Sequence, residues 1–300
     1  MQLSVAICTR NPRPDYLARV LNALAEQTLP NTEWELLVVD SASTVPLPVE
    51  PLRRPAVALR LLRVEQSGLL RARFAAIAAA VAPVVVFLDD DNVPATDFLE
   101  TGVAIGAQWP MLGCWGPGRI VPECEIPPPT SLADHFGRMA CCDLPADRWS
   151  NTLEVVPPGA GLFVRLACAR AYAAFAEHDP NRQLVGETAE RFFRGDDTDL
   201  VFHLIKSGFG AGQFTALYLT HLMPSKRLTE DYVVSLAKVA AGSAVVINHL
   251  WGAPAPRESQ FDRLVYTVKS LRFRGLTRRI AKAHRVGEAA ARLLLRNELR

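Results

Sequence analysis

The sequence predicts an α/β fold in which a mostly parallel β-sheet is covered by helices on both faces. Four mostly apolar segments have the length and composition of buried strands. Segments with helical spacing of apolar residues lie between them, and polar residues follow the strands. Strands that are apolar on both faces are typical of parallel sheets, so this alternation indicates the doubly wound architecture.

The predicted elements follow one another from the first residues onward. The strands are expected at residues 3–8, 34–39, 59–64 and 84–88. The helices are expected at residues 16–27, where Leu17, Val20, Leu21 and Leu24 have helical spacing, and at residues 69–80.

The pattern changes after the fourth strand. Residues 109–158 are rich in proline and glycine, which indicates loops and short strands, and residues 159–225 return to a mixed pattern. Beyond Arg227 the periodicity is helical, with Leu264, Val268 and Leu271 on one stripe. We therefore predict a domain over residues 1–228, with halves 1–108 and 109–228, and a helical extension over 229–300.

Composition is that of a folded globular protein. Of the 300 residues, 49% are hydrophobic and 21% are charged. Six cysteines lack the CxxC spacing of a zinc site, and residues 1–10 lack a basic leader, so we expect a reducing, cytoplasmic location. No membrane span is expected, because the apolar run 74–88 is short and contains Pro83, and residues 232–251 contain Lys238 and His249.

The net charge of +2 is unevenly distributed. Residues 257–300 hold 12 Lys or Arg against 4 Asp or Glu. This amphipathic basic stretch has three interpretations: contact with an anionic membrane surface, dimerisation, or a solvated face. Nucleic-acid binding is not expected, because no nucleic-acid motif accompanies the charge.

Polar groups follow three of the predicted strands, at Thr9 to Asn11, at Asp40 and at Asp89 to Asp91. In doubly wound sheets ligands bind beyond the carboxyl ends of the strands. Three adjacent carboxylates repel one another, and Mg²⁺ or Mn²⁺ takes oxygen ligands of this kind. The alternative is a solvated loop or a helix start capped by Asp91 or Asn92.

The chain resembles the family-2 glycosyltransferases through an ordered set of motifs. They are SVAICTRN, LLVVDSAST, GLLRAR, VVVFLDDDN, PPGAGLFVR, GDDTDL and HLMPSKRLT, which together span roughly residues 1–230. The resemblance implies the A-type glycosyltransferase fold, which is Rossmann-like. It also implies an inverting enzyme that uses a nucleoside diphosphate sugar, and for this chain we expect a UDP-sugar.

The resemblance further implies the residues that bind the donor. Thr9, Arg10 and Asp40 would line the nucleoside pocket, and Arg73 would approach the phosphates. Asp89, Asp90 and Asp91 would form the ribose and metal site. His221 would be a further ligand of Mn²⁺ or Mg²⁺, and Arg227 would pair with the pyrophosphate. The chain departs from the family pattern at Ser41 and Phe74.

The second acidic cluster resembles the family motif that supplies the catalytic base. Asp197 stands at the base position, Asp196 replaces the usual Glu, and Asp199 would support them. The alternative makes Asp196 and Asp197 favourable first residues of a helix. Gly159 and Gly161 would flank the acceptor pocket, although a turn before a strand also explains these two glycines.

Family analogy places such an enzyme in bacterial surface polysaccharide assembly, at the inner face of the membrane, with a glycan or lipid-linked acceptor. Two other functions predict different sequence features. A nucleotidyltransferase predicts a Gly- and Lys-rich phosphate loop, which CTRNPRPD does not supply. A non-catalytic glycan-binding protein predicts loss of the acidic clusters, and both are present.

Overall fold

A computed structural model describes residues 1–52, 57–179, 181–182, 194–252 and 273–298. Its ten-stranded sheet has the order β3-β2-β1-β4-β9-β6-β10-β5, with β7 beside β6 and β8 beside β10. The strands are β1 Leu3–Thr9, β2 Trp34–Ser41, β3 Ala58–Val64, β4 Val84–Leu88, β5 Asn92–Pro94, β6 Leu112–Cys124, β7 Cys142–Asp143, β8 Arg148–Ser150, β9 Leu162–Arg165 and β10 Gly210–Met223.

Seven α-helices are present in the described part of the chain. They are α1 Pro14–Ala25, α2 Leu69–Ala79, α3 Phe98–Gln108, α4 Leu166–Glu177, α5 Asp196–Lys206, α6 Glu230–Leu250 and α7 Gly275–Glu298. The four predicted strands and the first two predicted helices are confirmed within two residues at each end.

The sheet is mixed. Strands β1 to β4 are parallel to one another where they pair, and β10 is parallel to β6. In contrast, β9 lies antiparallel between β4 and β6, and β5 lies antiparallel to β10. This is a mostly parallel central sheet flanked by helices, as predicted.

Both faces of the sheet are covered. Val5 packs in one apolar cluster with α1 and α3, and its neighbour Ala6 packs in another with α2, α4 and α5. Successive residues of a strand point to opposite faces, so burial of both explains why the strands are continuously apolar.

The long strand β6 lies in the region predicted to form loops and short strands. Its glycines are needed where neighbouring strands come close. A Cβ on Gly118 would lie 2.8 Å from the backbone carbon of Phe214, beside an irregularity in the β6–β10 register between Phe214 and Tyr218. Glycine and proline here mark a crowded strand and not a loop.

The predicted helical extension is confirmed for α6 and α7, which pack against each other. Thr229 caps α6 by accepting a hydrogen bond from the backbone N–H of Tyr232. A Cβ on Gly287 would lie 1.9 Å from the carbonyl oxygen of Lys238, so this glycine permits the close approach of the two helices. The predicted stripe of residues 264, 268 and 271 lies outside the described residues.

Helix α6 is long and apolar enough to cross a membrane by length and composition alone. Core helices of folded proteins share these properties, and 44% of the relevant window is buried within the fold. The finding is weak evidence for a span, and the expected absence of one stays a prediction.

Candidate active site

A cleft of about 630 Å³ opens at the carboxyl ends of β1 and β4, beside the start of α5 and the end of β10. Most of the predicted site residues line it, although they come from distant parts of the sequence. They are Thr9, Arg10, Arg73, Asp89, Asp90, Asp91, Gly159, Asp196, Asp197, His221 and Arg227. Asp40 and Gly161 do not line the cleft.

Strand pairing brings the acidic run and His221 together. Strand β5 begins immediately after Asp91, and its first residue, Asn92, pairs with His221 of β10. The backbone N–H of Leu222 donates to the carbonyl oxygen of Asp91 at 2.8 Å. Because Asn92 starts a strand, the alternative in which Asp91 or Asn92 caps a helix is wrong.

The three carboxylates of the run have different surroundings. Thr9 Oγ1 donates to Asp90, and burial raises the pKa of Asp90 to about 6. Burial and the neighbouring Asp91 raise the pKa of Asp89. Burial also acts to raise the pKa of Asp91, but His221 and Arg227 outweigh it and hold that pKa below its usual value.

Arg227 lies between Asp91 and His221. Its Nη1 is 2.9 Å from Asp91 Oδ2 and 3.1 Å from His221 Nε2. Nε2 of His221 thus lies beside a donor, Arg227 Nη1, and an acceptor, Asp91 Oδ2, and the other ring nitrogen is Nδ1. That Nδ1 is buried and has no hydrogen-bond partner within the described structure.

These residues fit a divalent cation, although the described residues contain no group of three or more His, Cys, Asp or Glu side chains arranged to hold one. His221 Nε2 lies 3.6 Å from Asp91 Oδ2, and both residues line the cleft. An imidazole nitrogen with carboxylate oxygens is a suitable donor set for Mn²⁺. In this structure the positive charge between the two side chains is that of Arg227.

Asp196 and Asp197 begin α5, so the helix-start interpretation is confirmed. Gly195, with φ of +125°, turns the chain into the helix. Asp197 Oδ2 accepts a hydrogen bond from the Gly159 backbone N–H at 2.9 Å, and its Oδ1 accepts one from the Thr198 N–H at 2.7 Å. The carboxylate is therefore held at both oxygens while it borders the cleft.

Arg73 forms a buried ion pair with Asp196. Its Nη1 lies 2.5 Å from Asp196 Oδ2, and the two side chains are 9% and 7% exposed. Burial acts to lower the pKa of Arg73, but the charges of Asp196 and Asp197 outweigh it and raise that pKa. The guanidinium therefore carries its charge inside the protein.

Asp40 is the penultimate residue of β2 and does not line the cleft. Its carboxylate accepts hydrogen bonds from the backbone N–H groups of Ser43 and Leu47 and from Arg63 Nη1 at 2.7 Å. Burial acts to raise the pKa of Asp40, but these donors outweigh it and lower the pKa. A nucleobase would compete with these donors, and the role in base recognition stays a prediction.

Gly159 and Gly161 differ in their relation to the cleft. Gly159 lines it, whereas Gly161 lies behind its wall, where a Cβ would be 2.7 Å from Leu219 Cδ1. Gly161 also has φ of +73°, which glycine adopts without strain. The turn explanation therefore accounts for Gly161.

Several cleft residues were not predicted from the sequence. Tyr232 and Leu236 come from α6, and Arg138 comes from the 3₁₀ helix Thr130–Met139. The C-terminal extension thus forms part of the cleft wall. No motif marks these positions, because their place depends on how α6 packs against the domain.

Part of the chain matches a model of a known family. Residues 4–105 match the model of "Glycosyl transferase family 2". No curated protein matches the chain by sequence.

Solved structures with the same fold extend over nearly the whole chain. Mannosyltransferase PcManGT from Pyrobaculum calidifontis, in complex with GDP-Man and Mn²⁺, is 19% identical with a TM-score of 0.58, and the match covers 99% of this chain and 79% of that one. S. aureus TarS 1–349 is 15% identical with a TM-score of 0.52, covering 98% and 92%. TarS 1–349 in complex with UDP-GlcNAc is 16% identical with the same TM-score and coverage.

These structural likenesses concern the fold alone, and they confirm the A-type glycosyltransferase architecture. The family match covers the strands that carry Thr9 and the acidic run. Residues 4–105 are thus similar to glycosyl transferase family 2, and the chain shares the fold of these solved glycosyltransferases.

Proposed function

We propose that the chain transfers a sugar from a nucleoside diphosphate sugar, with inversion, to a hydroxyl of a glycan or lipid-linked acceptor. The observation that carries the proposal is that Asp197 borders the same cleft as the acidic run Asp89 to Asp91. A donor held by its diphosphate at the acidic run would place its sugar toward the start of α5.

Asp197 is the general base of this proposal. It takes the proton of the acceptor hydroxyl while that oxygen forms a bond to the anomeric carbon and the bond to the diphosphate breaks. Of the two carboxylates at the start of α5, Asp196 is neutralised by Arg73, whereas Asp197 has no ion pair in the described part of the chain. A carboxylate that is not neutralised by a cationic partner is the better proton acceptor.

Asp89, Asp91 and His221 would hold Mn²⁺ or Mg²⁺ beside the diphosphate. The metal supplies Lewis-acid stabilisation of the charge that develops on the leaving diphosphate. Arg227 would then exchange its contact with Asp91 and His221 for the pyrophosphate, for which its fork of donors is suited. Support comes from PcManGT, whose described complex contains GDP-Man and Mn²⁺.

A UDP-sugar is the proposed donor, and TarS bound to UDP-GlcNAc supports it. The test is release of nucleoside diphosphate from UDP-, GDP- and dTDP-sugars, each with Mn²⁺, with Mg²⁺ and with EDTA. We expect release with one donor class that stops on chelation. Unchanged release with EDTA contradicts the metal dependence, and the absence of release with every donor contradicts the proposed function.

We also propose that the enzyme works at the inner face of an anionic membrane, in bacterial surface polysaccharide assembly. The solvent-facing side of α7 exposes Arg278, Lys282 and Arg296 together with Val286 and Leu293. Basic residues beside exposed aliphatic ones suit anionic lipid head groups.

Vesicle sedimentation tests this location. Vesicles containing phosphatidylglycerol should bind the protein, and phosphatidylcholine vesicles should not. Replacing Arg278, Lys282 and Arg296 by Glu should abolish binding. Equal binding by the triple variant, or a helix-dependent dimer without lipid binding, contradicts the membrane proposal.

A further inference from the structure

The guanidinium of Arg73 is enclosed by a carboxylate of α5 and an aromatic ring of β4. Its Nη1 contacts Asp196 at 2.5 Å, and its Cζ lies 5.2 Å from the ring centroid of Phe87. The side chain is 9% exposed. The aromatic ring and the carboxylate therefore fix its orientation before any ligand enters.

Arg73 also supports the loop that holds Asp197. A Cβ on Gly159 would lie 2.5 Å from Arg73 Nη2 and 3.2 Å from Asp197 Oδ2. The Gly159 backbone therefore lies close to both side chains, and its N–H donates to Asp197 at 2.9 Å. Arg73 thus pairs with Asp196 and lies next to Gly159, and Gly159 in turn binds Asp197.

The electrostatic need for this cation is direct. Asp196 and Asp197 are adjacent carboxylates at the start of one helix, and Asp196 is buried. Without a cation nearby, burial and like-charge repulsion would disfavour the ionised pair. Burial and Asp197 raise the pKa of Asp196 to about 6 even though Arg73 acts to lower it.

We infer that Arg73 is a positioning residue for Asp197, acting through Asp196 and Gly159, and that it is not a ligand of the donor phosphates. The inference rests on the proposed function, because Asp197 must be the base. It assigns to Arg73 a role in the rate of transfer and not in the affinity for donor.

Three variants of this pair test the inference. Arg73→Met removes the charge but keeps much of the length, and Arg73→Lys keeps the charge. Arg73→Met combined with Asp196→Asn removes both charges, which avoids leaving an uncompensated buried carboxylate. The readouts are kcat and KM for the donor and the Kd of the nucleoside diphosphate measured by calorimetry with Mn²⁺.

We expect kcat of Arg73→Met to fall about 100-fold, the loss typical of a misplaced catalytic group. Donor KM and nucleotide Kd should stay within about twofold of wild type, because equal binding with a lower kcat marks an effect on the transition state alone. Arg73→Lys should recover part of kcat. The double variant should fold but keep the low kcat.

The matched control is Arg60→Met. Arg60 pairs with Glu35, a carboxylate that is 3% exposed and does not line the cleft. This variant should lose stability while kcat stays within about twofold of wild type. The control therefore distinguishes the general effect of removing the partner of a buried carboxylate from a specific effect on the base Asp197.

The outcomes distinguish the inference from the proposed function. A raised nucleotide Kd and donor KM with unchanged kcat in Arg73→Met or Arg73→Lys overturns the inference and makes Arg73 a donor ligand. A wild-type enzyme that is inactive with every donor overturns the proposed function and the inference with it. If Arg73→Met does not fold, Arg73→Lys and the double variant decide.

Discussion

Replacing Asp199 of α5 with alanine should strongly destabilise the protein. Asp199 is fully buried and accepts hydrogen bonds from Tyr172 Oη at 2.9 Å and from Trp251 Nε1 at 2.6 Å. It also forms an ion pair with Arg182, which is 3% exposed and packs over the ring of Trp251. One carboxylate thus joins α4, α5 and the end of α6.

The expected loss follows from the groups left behind. Truncating one partner of a buried ion pair typically costs about 3–5 kcal/mol, because the other charge stays buried without that partner. Arg182 keeps a second ion pair, with Asp179 at 3.2 Å, which replaces part of the lost attraction. Two further donors lose hydrogen bonds to a charged group, each about 1.5–3 kcal/mol, but such losses in one network are not additive. We therefore expect Asp199→Ala to lower the free energy of unfolding by about 4 kcal/mol, and Tyr172→Phe by about 2 kcal/mol.

Urea unfolding followed by circular dichroism measures both changes. The control is Asp143→Ala, which removes an exposed ion pair with Arg119 at 3.1 Å and should cost less than about 1 kcal/mol. A free energy of unfolding for Asp199→Ala within about 1 kcal/mol of wild type would refute the reasoning, because it would mean that Asp179 alone compensates the charge of Arg182.

Three further predictions concern packing, capping and pH. Gly102→Ala places a Cβ 2.0 Å from Phe163 Cζ, so calorimetry should show a lower melting temperature and a loss of about 1–3 kcal/mol; unchanged melting would contradict this. Thr229→Ala removes the cap of α6 and should cost about 1 kcal/mol in urea unfolding. Burial raises the pKa of Asp90 from 3.8 to about 6, so the folded state holds this proton at higher pH than the unfolded state does. The free energy of unfolding should therefore fall by up to about 3 kcal/mol as pH rises through this window, and Asp90→Asn should flatten that slope without metal present.

The central strands were predictable because burial on both faces leaves a local signal. Val5 and Ala6 face different apolar clusters, so neither position tolerates a polar residue. The sequence of strand β6, in contrast, indicated loops and short strands. Gly118 is glycine because the backbone at Phe214 occupies the place of its side chain, and this crowding depends on a partner about a hundred residues away.

The site was predictable to the extent that motifs follow strand ends. Asp91 and His221 meet in the cleft as expected, because β5 pairs with β10 directly after the acidic run. Asp40 could not be placed in the same way. Its register partner on β3 is Arg63, which donates a hydrogen bond to the Asp40 carboxylate. The register between two parallel strands cannot be predicted from the sequence of either strand alone.

The network around Asp199 was beyond prediction for a related reason. Its donors Tyr172, Arg182 and Trp251 come from separate parts of the chain, and no spacing connects them. The sequence indicated only a supporting role for Asp199. The large contribution that we expect from Asp199 follows from its burial and from the meeting of these three donors at one carboxylate. Both are properties of the folded structure.

The most direct measurement compares Asp197→Asn with wild type in the same donor and acceptor assay, together with calorimetry of nucleoside diphosphate binding. Asn keeps the shape of the side chain and can accept the Gly159 hydrogen bond, but it cannot take a proton from a hydroxyl. We predict that transfer falls by at least about 100-fold while the Kd of the nucleotide stays within about twofold. Transfer at the wild-type rate by Asp197→Asn would contradict the assignment of the base.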